Sequence, residues 1–152
     1  MKIGFIGLGK LGRDAAEVLN EKHDVVGYDP NITLEISGTQ EEACKGKDVV
    51  LVAVQTPHDP KYGGETPTSH LEPKDFDYSY LIQAVKDVDA LVDEGTLISV
   101  ISTVLPGTVR REVLPLIKRG KFIYNPYLIA QGTVKWDMRN PEMIMIGTES
   151  TK

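Results

Sequence analysis

The stretch Lys2-Ile3-Gly4-Phe5-Ile6-Gly7-Leu8-Gly9-Lys10-Leu11-Gly12 decides the fold of this 152-residue chain. An apolar run typical of a buried strand leads into the pattern Gly-x-Gly-x-x-Gly. Apolar residues at helical spacing follow, and a second apolar run, 24–28, ends at Asp29. Strand, glycine turn, helix, strand and acid, in this order, are the context of a dinucleotide-binding βαβ unit.

Each glycine of the pattern has its own physical reason. Gly7 permits the positive φ of a tight turn out of the strand. Gly9 lets a pyrophosphate approach the backbone, and Gly12 lets the helix pack closely on the strand. The helix directs unpaired N–H groups and the positive end of its dipole at phosphate charge. We therefore predict that this turn binds a cofactor through Gly7, Leu8, Gly9, Lys10, Leu11 and Gly12.

Asp29 lies 17 residues after Gly12, close to the spacing of about 20 for a carboxylate that accepts hydrogen bonds from the adenosine ribose. A 2′-phosphate would meet its negative charge, and no Arg or Lys lies between Asp29 and Lys45. The sequence thus predicts NAD rather than NADP, with Asp29 and Pro30 at the cofactor. The alternative is that the glycines only form a tight turn and Asp29 caps a loop.

Composition limits the classes of function. The chain is 41% hydrophobic and 26% charged, as in an ordinary globular domain. A net charge of −5 with scattered basic residues argues against a nucleic-acid surface. No apolar run approaches the roughly 20 residues of a membrane helix. Cys44 is the only cysteine, so we expect no internal disulfide and a cytoplasmic setting.

Short apolar strands alternate with helical patterns along the chain, which predicts a Rossmann-type, doubly wound parallel sheet of about six strands in a single α/β domain over residues 1–152. The predicted strands are 2–6, 24–28, 48–54, 96–101, 121–124 and 143–146. Helices are predicted after the glycine turn, from a capping box at Thr39, over 78–92 with Asp77 as cap, and over 106–118.

One connection, about 55–76, is unusually long and rich in Pro and Gly. Loops of this length are usually functional or disordered. We expect it to contact a cofactor or partner, the alternative being a passive solvated insertion.

Polar or turn-forming residues follow five predicted strands. Because the carboxyl ends of parallel strands share one edge, these residues should form one crevice. They are Gly7, Asp29, Gln55-Thr56, Ser102-Thr103 and Asn125.

Several segments, in order along the chain, resemble the NAD-binding domain of the UDP-glucose/GDP-mannose dehydrogenase family. They are Gly4–Gly9, Gly27–Asp29, Val54–Pro57, Ile101–Thr108, Asn125-Pro126 and Asn140–Gly147. The opening segment also resembles the β-hydroxyacid dehydrogenases, but Asp29-Pro30, Thr56-Pro57 and Asn125-Pro126 fit the sugar-nucleotide family better.

The resemblance implies an NAD-dependent oxidation of a sugar C6 alcohol to a carboxylate through a cysteine-bound intermediate. It implies that Gln55 and Thr56 line the cofactor. It also implies that Thr103 lies near the nicotinamide and helps to position a water, which makes Thr103 the one candidate catalytic residue.

Departures from the family pattern limit the expected chemistry. Tyr127 and Gln131 stand where the family has two glutamates, and neither side chain is a suitable base at neutral pH. The family's catalytic cysteine lies in later domains, and Cys44 is not at its position; we expect Cys44 to be a buried apolar residue. The three histidines show no metal-site spacing.

The leading hypothesis is therefore an NAD-binding domain that does not catalyse oxidation alone. One alternative is half of a split enzyme completed by a partner chain. Another is a non-catalytic module, in which a partner or a second copy covers an exposed apolar carboxyl edge.

Overall fold

The computed structural model of the chain describes residues 1–130 and 132–149. It contains five parallel strands in the order β2-β1-β3-β4-β5. The strands are β1 (Lys2–Ile6), β2 (Asp24–Tyr28), β3 (Val49–Val52), β4 (Leu97–Val100) and β5 (Lys121–Tyr124). The chain reverses direction across the sheet between β1 and β3, and this is the switch point at which α/β sheets bind ligands.

Hydrophobic patterning explains the central strands. All four residues of β3 are buried, as expected of a strand covered on both faces. The side chains of Val50 and Val52 belong to the core on one face, and those of Val49 and Leu51 to the core on the other. The predicted doubly wound α/β domain is confirmed.

The described residues form four α-helices: α1 (Lys10–Asn20), α2 (Gln40–Cys44), α3 (Ser79–Leu91) and α4 (Val134–Arg139). The predicted capping box of α2 is present, because the Glu42 backbone N–H donates to Thr39 Oγ1 and Glu42 Oε2 accepts from the Thr39 backbone N–H at 2.8 Å. The predicted cap of α3 is displaced by one residue: Tyr78 occupies the N-cap position without a side-chain cap, and Asp77, just before it, accepts from the Ser79 N–H through Oδ1 at 2.9 Å.

The two edges of the sheet each carry a single bridge in place of a further strand, and the missing sixth strand was predicted at the β5 edge. Outside β2, Ser37 forms a single parallel bridge with Gly27. Outside β5, Gly147 forms a single antiparallel bridge with Tyr124. In the order 3-2-1-4-5-6 of dinucleotide-binding sheets, these bridges occupy the positions of strands three and six.

The strand predicted over 143–146 is therefore wrong. Gly147, the residue after this run, bridges Tyr124 at the end of β5, so the antiparallel run itself lies beyond the end of that strand and has no strand beside it with which to pair. The four side chains from Met143 to Ile146 are 45–69% exposed.

The continuous helix predicted over 106–118 is also wrong. The chain forms a turn of π-helix at Val109–Val113 and a 3-10 turn at Leu114–Leu116. The reason is Pro115, which has no N–H and whose ring clashes with the carbonyl four residues earlier in an α-helix. Glycine at 107 with φ of +87° begins the segment.

The long connection 55–76 is held together by its own side chains. A short 3-10 helix covers Pro60–Tyr62. Lys74 Nζ lies 2.6 Å from Asp59 Oδ2, and the Tyr62 hydroxyl donates to the Glu72 carbonyl. The Asp77 N–H donates to the Pro57 carbonyl at 2.8 Å, which closes the loop at its base.

No sequence signal predicted α4. Its Val134 side chain is buried, and Lys135 and Arg139 form ion pairs with Glu17 of α1 and with Glu21, the residue that follows α1. None of the helices within residues 1–130 and 132–149 is long and apolar enough to cross a membrane.

Candidate functional site

The turn after β1 requires glycine at its first position. Gly7 has φ of +94°, a conformation that side chains rarely tolerate. A Cβ there would lie 2.5 Å from the Ala53 carbonyl oxygen. The Gly7 N–H donates to the Tyr28 carbonyl at 2.9 Å, so the turn is fixed against the ends of two neighbouring strands.

The other two glycines of the turn have opposite surroundings. A Cβ on Gly12 would lie 1.9 Å from the Gly7 carbonyl oxygen, whereas a Cβ on Gly9 would meet no atom within 4 Å. Gly12 is thus required by the close packing of α1 on the turn. Gly9 faces open space at the start of α1, where no side chain of the described residues caps the helix, as a phosphate site requires.

Asp29 connects the end of β2 to the glycine turn. Its Oδ2 accepts from the Leu8 N–H at 2.9 Å, and its Oδ1 accepts from the Asn31 N–H at 2.8 Å. Each carboxylate oxygen can accept more than one hydrogen bond. The two backbone donors therefore orient the carboxylate and leave capacity for ribose hydroxyls.

The loops after β3 and β4 are joined by two hydrogen bonds. Ser102 Oγ donates to the Val54 carbonyl, and Thr56 Oγ1 donates to the Thr103 carbonyl, both at 2.7 Å. The Asn125 N–H, just after β5, donates to the Val100 carbonyl at 2.9 Å. The five predicted strand-end positions thus follow neighbouring strands at one edge, as the sequence predicts.

Two clefts open along this edge and share Gly9 and Ile32. The first, of about 470 Å³, includes Asp29, Pro30 and Gln55 in its lining. The second, of about 870 Å³, includes Lys10, Leu11, Thr103 and Tyr127 in its lining. A dinucleotide has two halves joined by a pyrophosphate, and two clefts that meet at the glycine turn suit that shape.

Three predicted cofactor residues have no place in the lining of either cleft. The Leu8 side chain is fully buried, and its contribution to the site is the N–H that binds Asp29. Gly12 permits packing, and Thr56 fastens the loop that carries Thr103.

The segment after β5 places Tyr127 in the second cleft. Burial raises the pKa of its phenol from 10.0 to about 12, so this tyrosine stays protonated at neutral pH and does not act as a base. Gln131, the other position at which the sequence departs from the family pattern, lies outside the described residues.

Cys44 is in the core, as predicted, and lines neither cleft. Burial raises the pKa of its thiol to about 11, which suppresses the reactive thiolate. Within the described ranges, no group of three His, Cys, Asp or Glu side chains could hold a metal ion.

Sequence reasoning missed the wall that α3 contributes to the first cleft, formed by Tyr80, Gln83, Ala84 and Asp87. The spacing of apolar residues in this helix predicted its buried face and gave no signal for the face that lines the cleft. Of the described residues that line the two clefts, Gln55 alone belongs to the loop 55–76. A contact between the rest of this loop and a cofactor or partner stays a prediction.

The fold and the glycine turn define a dinucleotide-binding domain of the Rossmann type. Residues 30–152 match the NAD binding domain of the UDP-glucose/GDP-mannose dehydrogenase family. The chain belongs to this family, and the resemblance in the sequence motifs is confirmed.

Known relatives agree with the assignment. The UDP-N-acetyl-D-mannosamine dehydrogenase of Pyrococcus horikoshii is 26% identical, over 97% of this chain and 37% of that protein. A UDP-glucose dehydrogenase structure from Pyrobaculum islandicum matches with TM-score 0.72 at 25% identity, over 98% of this chain and 41% of that one.

A GDP-mannose dehydrogenase structure from Pseudomonas aeruginosa, solved as a ternary complex, matches with TM-score 0.76 at 23% identity. It covers 97% of this chain and 41% of that one, and at this identity it supports the fold alone. The chain spans about two fifths of the length of these relatives.

Proposed function

We propose that the chain holds NAD across the two clefts. The pyrophosphate lies at Gly9 and the first N–H groups of α1, and Asp29 accepts from the adenosine ribose. The observation that carries this proposal is the pairing of an open glycine, with nothing within 4 Å of its added Cβ, and a carboxylate already oriented by the Leu8 and Asn31 N–H groups.

Charge in the first cleft favours NAD over NADP. Asp29 and Asp87 both line it, and none of its described lining residues is Lys, Arg or His. A 2′-phosphate would therefore sit beside carboxylates with no cation to compensate, which costs binding free energy.

The second cleft is the proposed place of the nicotinamide, with Thr103 beside it as the one candidate catalytic residue. We propose that the chain does not oxidise a nucleotide sugar by itself. Tyr127 is protonated at neutral pH because its phenol has a pKa of about 12, and the Cys44 thiol is buried away from both clefts. A single buried cysteine also fits a cytoplasmic, reducing setting.

Isothermal titration calorimetry with NAD tests the proposal. The wild-type chain should bind NAD and bind NADP at least about tenfold more weakly. Gly9→Ala should keep the fold, because its Cβ has room and its φ of −66° suits alanine, yet weaken NAD at least about tenfold by blocking the pyrophosphate. Absence of binding by folded wild-type protein at millimolar NAD would overturn the proposal.

A second candidate function is that of one part of an enzyme completed by another chain or copy. The observation in its favour is the exposed apolar run Met143–Ile146. Such patches usually mark interaction surfaces. Light scattering over a concentration series tests self-association, with Ile144→Lys as the matched variant.

The hypothesis that a partner chain completes the enzyme is tested by measuring turnover. NADH formation from UDP-glucose or GDP-mannose should occur only after addition of a polypeptide that carries a reactive cysteine. Turnover by the isolated chain would contradict both candidate functions, whereas a monodisperse monomer that gains no activity with any such partner would exclude the second.

A further inference from the structure

The α3 wall of the first cleft carries a pair of hydrogen-bond acceptors, Gln83 and Asp87. Gln83 Nε2 donates to Asp87 Oδ1 at 2.8 Å, across one turn of the helix. This bond fixes the amide so that Gln83 Oε1 stays available as an acceptor. Asp87 Oδ2 is likewise available, and neither oxygen has another hydrogen-bond partner among the described residues.

The surroundings of this pair suit a flat heteroaromatic ring with a hydrogen-bond donor. Tyr80, Ala84 and Ile32 contribute aromatic and apolar surface to the same cleft. Its other side chains include a carboxylate and several amides, and its described lining residues carry no positive charge. A site with free acceptors and no cation favours a ligand edge that donates hydrogen bonds.

The position of the pair relative to Asp29 identifies the ligand group. Both line one cleft of about 470 Å³, which also reaches Gly7 and Gly9. When Asp29 holds the adenosine ribose, the base attached to that ribose lies in the remainder of this cleft. Adenine presents a 6-amino group as its donor.

We propose that Gln83 and Asp87 accept hydrogen bonds from the 6-amino group of adenine and make the cleft selective for adenine over hypoxanthine. The proposal rests on the proposed function, since it assumes that the first cleft holds the adenosine half of NAD. It assigns a specificity role to two residues of α3 outside the glycine turn and the strand ends.

Hypoxanthine is the informative comparison because it replaces the 6-amino group by a carbonyl oxygen and carries a proton on N1, while its shape is otherwise similar. That oxygen would face the oxygens of Gln83 and Asp87 with no proton between them. A site that loses a hydrogen bond and gains opposed acceptors discriminates strongly, by about tenfold or more.

The experiment compares the affinity of the full chain for NAD and for nicotinamide hypoxanthine dinucleotide by calorimetry. The wild type should bind NAD at least about tenfold more tightly. Asp87→Asn should reduce the ratio to about threefold or less, because its amide can donate to the hypoxanthine oxygen. Gln83→Ala should reduce it as well, and Lys86→Ala, on the same helix but not in the cleft lining, should leave it unchanged.

The outcomes separate the two proposals. Tight binding of both dinucleotides by the wild type would overturn the role of the pair and leave NAD binding in place. An undiminished ratio in both Asp87→Asn and Gln83→Ala would also overturn it. If the folded wild type binds neither dinucleotide, the proposed function itself fails.

Discussion

Gly12 and Gly9 are glycines of the same turn, but they have opposite roles. A Cβ on Gly12 would lie 1.9 Å from the Gly7 carbonyl oxygen and 2.9 Å from its carbon, and these backbone atoms cannot move without shifting α1 from β1. We expect Gly12→Ala to lower the free energy of unfolding by about 2–3 kcal/mol. Urea denaturation measures this, and Gly9→Ala is the matched control that should unfold at the wild-type midpoint.

The Cys44 thiol predicts a pH dependence at the alkaline end. Burial, with the charge of Asp87 as a smaller cause, raises its pKa from 9.0 to about 11. Because the folded chain holds this proton more tightly than the unfolded chain, the stabilisation is complete below pH 9 and is lost as the pH rises towards 11. The loss amounts to about 2–3 kcal/mol.

Cys44→Ala isolates that contribution. We compare the free energies of unfolding of wild type and variant, measured in urea between about pH 8 and about pH 11. The value for the wild type should fall relative to that of the variant as the pH rises, since the variant has no thiol to titrate. Other groups that titrate in this range are common to both proteins. A difference that is constant with pH would contradict the prediction.

At the level of the elements, local signals predicted most of the fold. The bounds of β1, β2 and β5 agree with the apolar runs residue for residue, and the capping box located the start of α2. These features depend on neighbours in sequence. The glycine turn and the strand-end residues of the candidate site were predictable for the same reason.

The errors lie where distant parts of the chain decide the structure. An apolar run at 143–146 cannot show that it reaches the sheet only at the end of β5. The six residues of α4 are helical because Val134 is buried and two basic side chains pair with Glu17 of α1 and with Glu21 just after it. The helical pattern of α3 does not show that Gln83 and Asp87 line a cleft, because this depends on how α3 packs beside the ends of β1 and β3.

Asp89 shows how one side chain fixes the connection between two elements. It lies on α3, is 5% exposed, and accepts from the N–H groups of Lys118, Arg119 and Gly120 at 2.9–3.3 Å. These donors form the turn into β5. Asp89→Asn replaces one acceptor oxygen by a donor that faces them, and should cost at least about 2 kcal/mol.

The matched control for Asp89→Asn is Asp93→Asn, because Asp93 accepts a single bond, from the Gly46 N–H, at an exposed position. We expect it to cost less than about 1 kcal/mol. Urea midpoints of the two variants, with unchanged m-values, give the comparison. Equal losses would show that the Asp89 bonds to the turn add little.

For the whole molecule, the carboxyl edge of the sheet is where hydrogen bonds also join the segments that follow the strands. The Gly7 N–H binds β2, Ser102 and Thr56 join the loops after β3 and β4, and the Asn125 N–H binds β4. A ligand held along this edge contacts residues from several strands at once. Its binding should therefore stabilise the native chain as a unit rather than one loop.

This coupling predicts a rise in global stability with NAD. At a free NAD concentration of 100 times Kd, the free energy of unfolding should increase by about 2.7 kcal/mol, provided that the unfolded chain binds none. Urea unfolding with and without NAD measures the increase. At the same NAD concentration Gly9→Ala should gain no more than about 1.4 kcal/mol, because its affinity is at least about tenfold lower. If calorimetry shows binding by the wild type while its urea midpoint stays fixed, NAD must bind the folded and unfolded chains alike, which a site built from the ends of several strands does not allow.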